Sequence, residues 1–162
     1  MKRLMIAAIV AFVATPSSAA DAGWGVQFHY DAFEDQTYPM AAMQEVVEGT
    51  SFDNANLFLA CDGNGIAVLF QPERYAINFG NTVVVGKFRG AEGVQEFQFP
   101  IVEIPVFGRV QAATGSDAEA LLSIFESATA PVPYQTEKKS GNFPVAGFSK
   151  VKAIMDAECA SL

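Results

Sequence analysis

Basic residues are scarce in this 162-residue chain: 10 Lys and Arg stand against 18 Asp and Glu, a formal net charge of −8. That balance argues against nucleic acid as a partner, because gripping phosphates takes a surplus of Lys and Arg to displace counterions. It argues equally against an anionic membrane surface. Histidine occurs once, as His29, and cysteine twice, as Cys61 and Cys159. One imidazole and two thiols are too few for a zinc site, and no CxxC pair offers redox chemistry. There is no GxSxG elbow, and the Gly-rich places at 63–65, 86–93 and 108–115 match no phosphate-binding fingerprint. No cofactor and no metal is implied. Internal repeats, low-complexity tracts and long Pro/Ser linkers are also lacking, and the length suits one domain.

Long apolar runs are missing too, with one short exception at the start. Lys2 and Arg3 precede Leu4 to Ala14, eleven residues without a charge, and Ser18-Ala19-Ala20 then supplies small residues at the positions a signal peptidase reads. Basic head, short apolar centre and small-residue exit describe a secretory signal peptide over residues 1–20, cleaved after Ala20 with Ala22 as the alternative. Eleven apolar residues fall short of the roughly 20 that a spanning helix needs. The expected product is a periplasmic domain over 21–162 without a membrane anchor, with secretion as the alternative. Without Lys2 and Arg3 the mature chain carries −10. The charge is uneven as well. Nine acids lie between Asp21 and Glu73 with no Lys or Arg among them, whereas eight bases and nine acids follow from Arg74 onward.

The remainder reads as β-rich. Trp24, Val26, Phe28 and Tyr30 alternate onto one face of an opening strand. Tyr38 to Val47 is ambiguous: Met40, Met43 and Val47 repeat at helical spacing, yet Thr37-Tyr38-Pro39 suits a loop. Leu57–Cys61 and Ile66–Phe70 flank Asp62-Gly63-Asn64-Gly65 as a tight hairpin. Runs at Thr82–Arg89, Gln95–Val102 and Ile104–Gln111 are rich in β-branched and aromatic residues, and Pro100 and Pro105 imply an edge strand or bulges there. Ser116 and Glu119 form a capping box ahead of a helix with Leu121, Leu122, Phe125 and Ala128 on its apolar stripe. Val132–Thr136 and Phe143–Ala146 read as short strands around a polar turn. A closing helix from Phe148 or Ser149 puts Phe148, Val151, Met155 and Cys159 on one side. The expected fold is α+β: a β-dominated antiparallel sandwich or small barrel with two amphipathic helices packed on it.

Cys61 alternates with Leu57 and Leu59 on the buried face of its strand, and Cys159 lies on the apolar face of the last helix. In an oxidising compartment two such thiols should pair. A bridge of that span contributes on the order of 4–5 kcal/mol in the chain-entropy model.

Material for catalysis is thin. His29 has acidic neighbours in Asp31, Glu34 and Asp35, but a triad also needs a nucleophile and oxyanion donors. An EF-hand reading of Asp62 to Glu73 fails, because Ile66 and Val68, at its fifth and seventh positions, read as a strand and Ile66 offers no side-chain oxygen for the fifth. The acidic N-terminal third, and Asp31, Glu34 and Asp35 in particular, reads either as a solvated surface or as a docking face for a basic protein partner.

The order of features resembles a known family. Trp24 near the mature start is followed by Asp31-Ala32-Phe33-Glu34-Asp35, the Leu57/Leu59/Cys61 strand and its hairpin mate. Phe88-Arg89, a mid-chain amphipathic helix, and Phe143, Gly147 and Phe148 leading into a helix ending in Cys159 complete it. This order is similar to the VasI/TagO-like periplasmic proteins associated with type VI secretion, and their uncharacterised relatives, across about Trp24 to Cys159. The resemblance implies a β-rich exported accessory protein without catalysis. The expected function is therefore a non-catalytic accessory or binding protein of the bacterial cell envelope. The alternatives are a secreted inhibitor of a basic hydrolase, or a small exported hydrolase using His29.

Overall fold

Phe70 stands at the centre of the molecule. Its ring lies 5.1–6.3 Å from those of Phe88, Phe99, Tyr134 and Phe143, and the elements that supply these rings define the architecture. The computed structural model describes residues 23–32, 34–45, 54–73 and 83–162. The signal segment, Phe33, Val47 and the acids Asp21, Glu48 and Asp53 lie outside these.

Ten strands and two helices are present among the described residues. A six-stranded antiparallel sheet has the order β1-β2-β3-β4-β8-β7, from β1 (Gly25–Asp31), β2 (Gln36–Gln44), β3 (Asn56–Cys61), β4 (Ile66–Gln71), β7 (Ile101–Ile104) and β8 (Gly108–Ala113). A second, four-stranded sheet has the order β10-β9-β5-β6, from β5 (Val84–Gly90), β6 (Gly93–Phe99), β9 (Val132–Gln135) and β10 (Ser140–Phe143). Helix α1 (Gly115–Ser127) lies against β4 and β5, and α2 (Phe148–Cys159) against β2 and β3. The β-dominated α+β fold with two antiparallel sheets, two packed helices and one disulfide is thus as the sequence implies.

One cluster of buried side chains runs from Trp24 to Met155 between the sheets and helices. A smaller one, Ala60, Ala67, Leu69, Ile104 and Ala112, lies on the other side of β3 and β4, where Phe107 packs against Phe58. Gly86 has no side chain for a reason of space: a Cβ there would sit 2.9 Å from the Phe70 ring. Cys61 and Cys159 form the disulfide, with Cα atoms 5.2 Å apart, tying the end of β3 to the end of α2.

Several local expectations need correction. Tyr38–Gln44 belongs to strand β2, neither helix nor loop, because Ala41 and Met43 pair with Leu59 and Leu57 and alternate into the core. The Gln95–Val102 run is cut at Pro100 into β6 and β7, which join different sheets. Proline gives that break, having no N–H for a ladder. Phe143–Ala146 is not a strand: β10 ends at Phe143, and the carbonyls of Pro144 and Ala146 are taken by Trp24 Nε1 and Trp24 N–H, each at 3.1 Å. No capping box forms, since α1 begins at Gly115 with Thr114 at its cap and no side-chain bond there. That start places Ser116 one residue inside the helix, out of the cap geometry.

Candidate functional site: the β1–β2 hairpin

β1 begins as core and ends as surface. Trp24 is buried against Phe125 and Phe148, at 5.8 and 5.1 Å between ring centres, and Val26 packs on the same cluster. Phe28 and Tyr30 continue that face, yet each is 56 % exposed. The single-face reading of this strand therefore holds only for its first half. The two exposed rings lie where the hairpin runs out past the core.

The backbone of β1 has an outward side. Glu45 donates its N–H to the Ala55 carbonyl at 2.9 Å, continuing the β2–β3 ladder. Successive peptide groups along a strand face opposite sides, so Met43 and Ala41 also bond β3, while Ala42, Met40 and Tyr38 bond β1. Their opposite residues on β1 are Gly25, Gln27 and His29. The N–H and C=O groups of Val26, Phe28 and Tyr30 are left pointing away from β2. Trp24 agrees with this alternation, since its N–H turns to Ala146. The 144–147 turn thus closes the start of the edge, and among the described residues no strand pairs with the rest of it.

The predicted docking acids lie together at the hairpin end. Asp31 Oδ1 accepts the Glu34 N–H at 3.3 Å, and Asp35 takes a left-handed φ of 52°, a conformation Asp tolerates. Tyr30 donates its hydroxyl to Asp35 at 2.6 Å, and Tyr38 donates to Glu34. Tyr30 shares the face of Phe28, whereas Tyr38 stands opposite His29 on the other face, so one tyrosine–carboxylate bond braces each side of the turn. These bonds hold both phenols above their ordinary pKa, first through the hydrogen bond to the carboxylate and then through lost hydration and neighbouring negative charge. The sequence reading missed both tyrosines. The signal was the hairpin register, which the ambiguity over Tyr38–Val47 concealed.

Not every acid of the N-terminal third belongs to this surface. Glu45 is 5 % exposed. It accepts the Ala55 N–H at 2.8 Å and the Tyr134 hydroxyl at 2.5 Å, and it pairs with the Lys139 ammonium.

His29 is exposed on β1 and borders a crevice of about 10 Å³ with Tyr38, Pro39, Met40 and Phe107, among others. No Ser, Thr or Asp lines this crevice. A larger groove of about 350 Å³ runs between α1, α2 and the β3–β4 turn, with Asp62, Glu119, Glu126 and Asp156 on its walls. Lys152 occupies it as an internal counter-ion, 2.8 Å from Asp156 and 3.6 Å from Glu126. The Asp156 bond above all raises the Lys152 pKa, against the opposing effect of burial. No group of three or more His, Cys, Asp or Glu side chains among the described residues could hold a metal ion. No described helix is long and apolar enough to cross a membrane.

No protein-family model, curated protein or solved structure matches the chain.

Proposed function

We propose that this chain is an exported, non-catalytic binding or accessory protein of the bacterial cell envelope, and that its contact surface is the β1–β2 hairpin. The observation that carries the reading is the pairing of two exposed aromatic rings, Phe28 and Tyr30, with a turn bearing Asp31, Glu34 and Asp35. Exposed aromatics at the centre of a charged rim are what a protein interface uses, and the rim's sign selects a basic partner. The export half of the proposal rests on the basic, apolar and small-residue order of residues 1–20, and the Cys61–Cys159 bridge is in keeping with an oxidising compartment. The type VI secretion association rests on the family resemblance alone.

The test is capture of basic envelope proteins from a periplasmic extract by the immobilised chain. Asp31→Asn/Glu34→Gln/Asp35→Asn should lower capture several-fold and flatten its salt dependence. Capture that is equal in the variant removes the hairpin as the contact surface. One alternative draws on the same geometry: acids carried on a projecting turn suit insertion into the cleft of a basic hydrolase. Inhibition of lysozyme, lost in the same variant, would favour that reading.

A further inference from the structure

Strands at sheet edges are ordinarily guarded, because a row of unpaired N–H and C=O groups templates another strand. Two of the four edge strands among the described residues follow the rule by being short. β7 has four residues bounded by Pro100 and Pro105, and β10 also has four. β6 and β1 are both long: each has seven residues without Lys or Pro and pairs with its neighbour in seven consecutive registers. Just past the end of β6 the Pro100 carbonyl accepts the Ala112 N–H at 3.0 Å and joins that corner to β8. β1 alone of the two carries exposed aromatic rings, Phe28 and Tyr30, and leads into a turn that groups Asp31, Glu34 and Asp35. Its outward peptide groups belong to Val26, Phe28 and Tyr30, whose side chains share one face.

We infer that β1 takes up its partner by strand addition: an extended segment pairs antiparallel with Val26, Phe28 and Tyr30, and its cationic N-terminal end meets Asp31, Glu34 and Asp35. The inference rests on the hairpin-docking reading and specifies how the partner binds. Three outward residues exchange two bonds each with an antiparallel strand, so six backbone hydrogen bonds are available. Polarity follows from the ends of the edge. The acids lie at the C-terminal end of β1, where an antiparallel segment begins, and the 144–147 turn limits its extent at the Trp24 end. The segment's residues opposite Tyr30, Phe28 and Val26 share their face, so apolar side chains at those alternate places pack against the rings.

The probe is a labelled peptide, Lys-Arg-Lys-Val-Thr-Val-Thr-Val, titrated into the full chain and followed by fluorescence anisotropy. In the inferred register its central Val faces Phe28 and donates to it, while the two Thr N–H groups point away. N-methylation of that Val should weaken binding about tenfold, against less than about threefold for N-methylation of the preceding Thr. Moving the basic run to the C-terminus should weaken binding several-fold. Equal effects of the two N-methyl groups would overturn strand addition while leaving the hairpin as a docking surface. Binding that ignores Asp31→Asn/Glu34→Gln/Asp35→Asn, or no saturable binding, would overturn the docking reading and the inference with it. Because the decisive change is made in the peptide, the result does not depend on how a protein variant folds.

Discussion

Strand β2 has a carboxylate bonded to a tyrosine hydroxyl at each of its ends, and the two settings have little else in common. Just past its last residue, Glu45 is enclosed by Tyr134, Lys139 and the Ala55 amide. Before its first residue, Glu34 and Asp35 take the hydroxyls of Tyr38 and Tyr30 with water around them. Donor and acceptor types match; the dielectric does not. Charge interactions strengthen several-fold on leaving water for a protein interior, and so does the cost of an unpaired charge. The buried carboxylate therefore serves to fix the fold, joining β2 to the second sheet through Tyr134. The exposed ones leave stability nearly untouched and remain available to a partner.

Lys139→Met puts that contrast under the greatest load. It leaves Glu45 charged and enclosed without its cation, which costs about 3–5 kcal/mol in comparable buried pairs. Lys139 keeps 21 % of its side-chain surface exposed, so the lower end, about 3 kcal/mol, is expected as a drop in urea midpoint at constant slope. The triple tip variant, Asp31→Asn/Glu34→Gln/Asp35→Asn, should move the same midpoint by less than about 0.5 kcal/mol per site. Equal losses at the two ends would abolish the distinction.

Gly141→Ala probes the buried end by volume instead of charge. A Cβ on Gly141 would fall on Glu45 Oε2 and within 2.8 Å of the Tyr134 ring. Glu45 and Tyr134 would have to part to admit it, at about 1–3 kcal/mol, the usual cost of overpacking. Thermal unfolding measures it, and an unchanged midpoint would mean the cluster is looser than its contacts imply.

The two ends were unequally legible in the sequence. Asp31, Glu34 and Asp35 stand close together beside a strand that could be read from alternation, so their grouping needed no tertiary information. Glu45 sits in the same run of acids without a base, and its partners come from 89 residues away at Tyr134 and from Lys139. No local pattern distinguishes an acid that will be enclosed. The disulfide was legible because periodicity alone put Cys61 and Cys159 on inward faces. The split at Pro100 was half legible: proline marked an interruption, but which sheet each half would join depends on packing. The edge position of β1 among the described strands could not be read at all, since it is a property of sheet order.

The finest test lies within the exposed end itself. Tyr30 and Tyr38 should titrate above the ordinary phenol value of about 10, each because ionising it would break a bond to a carboxylate and set two negative charges together. A folded chain that holds these protons more tightly than the unfolded one gains stability at pH below the ordinary value. That gain is lost as pH rises through the elevated folded values. Asp35→Asn should bring Tyr30 down toward its ordinary pKa and leave Tyr38 in place, and Glu34→Gln should do the reverse, because the two bonds lie on opposite faces of the hairpin. Tyrosine-resolved NMR titration separates them. Joint movement in either variant would mean that the turn responds as one unit. Binding of a basic segment should then lower both values at once, because a cation that neutralises Glu34 and Asp35 removes the charge that holds the phenols protonated. That response would tie the tyrosine bonds to the docking surface, and a titration unchanged by the bound peptide would separate them from it.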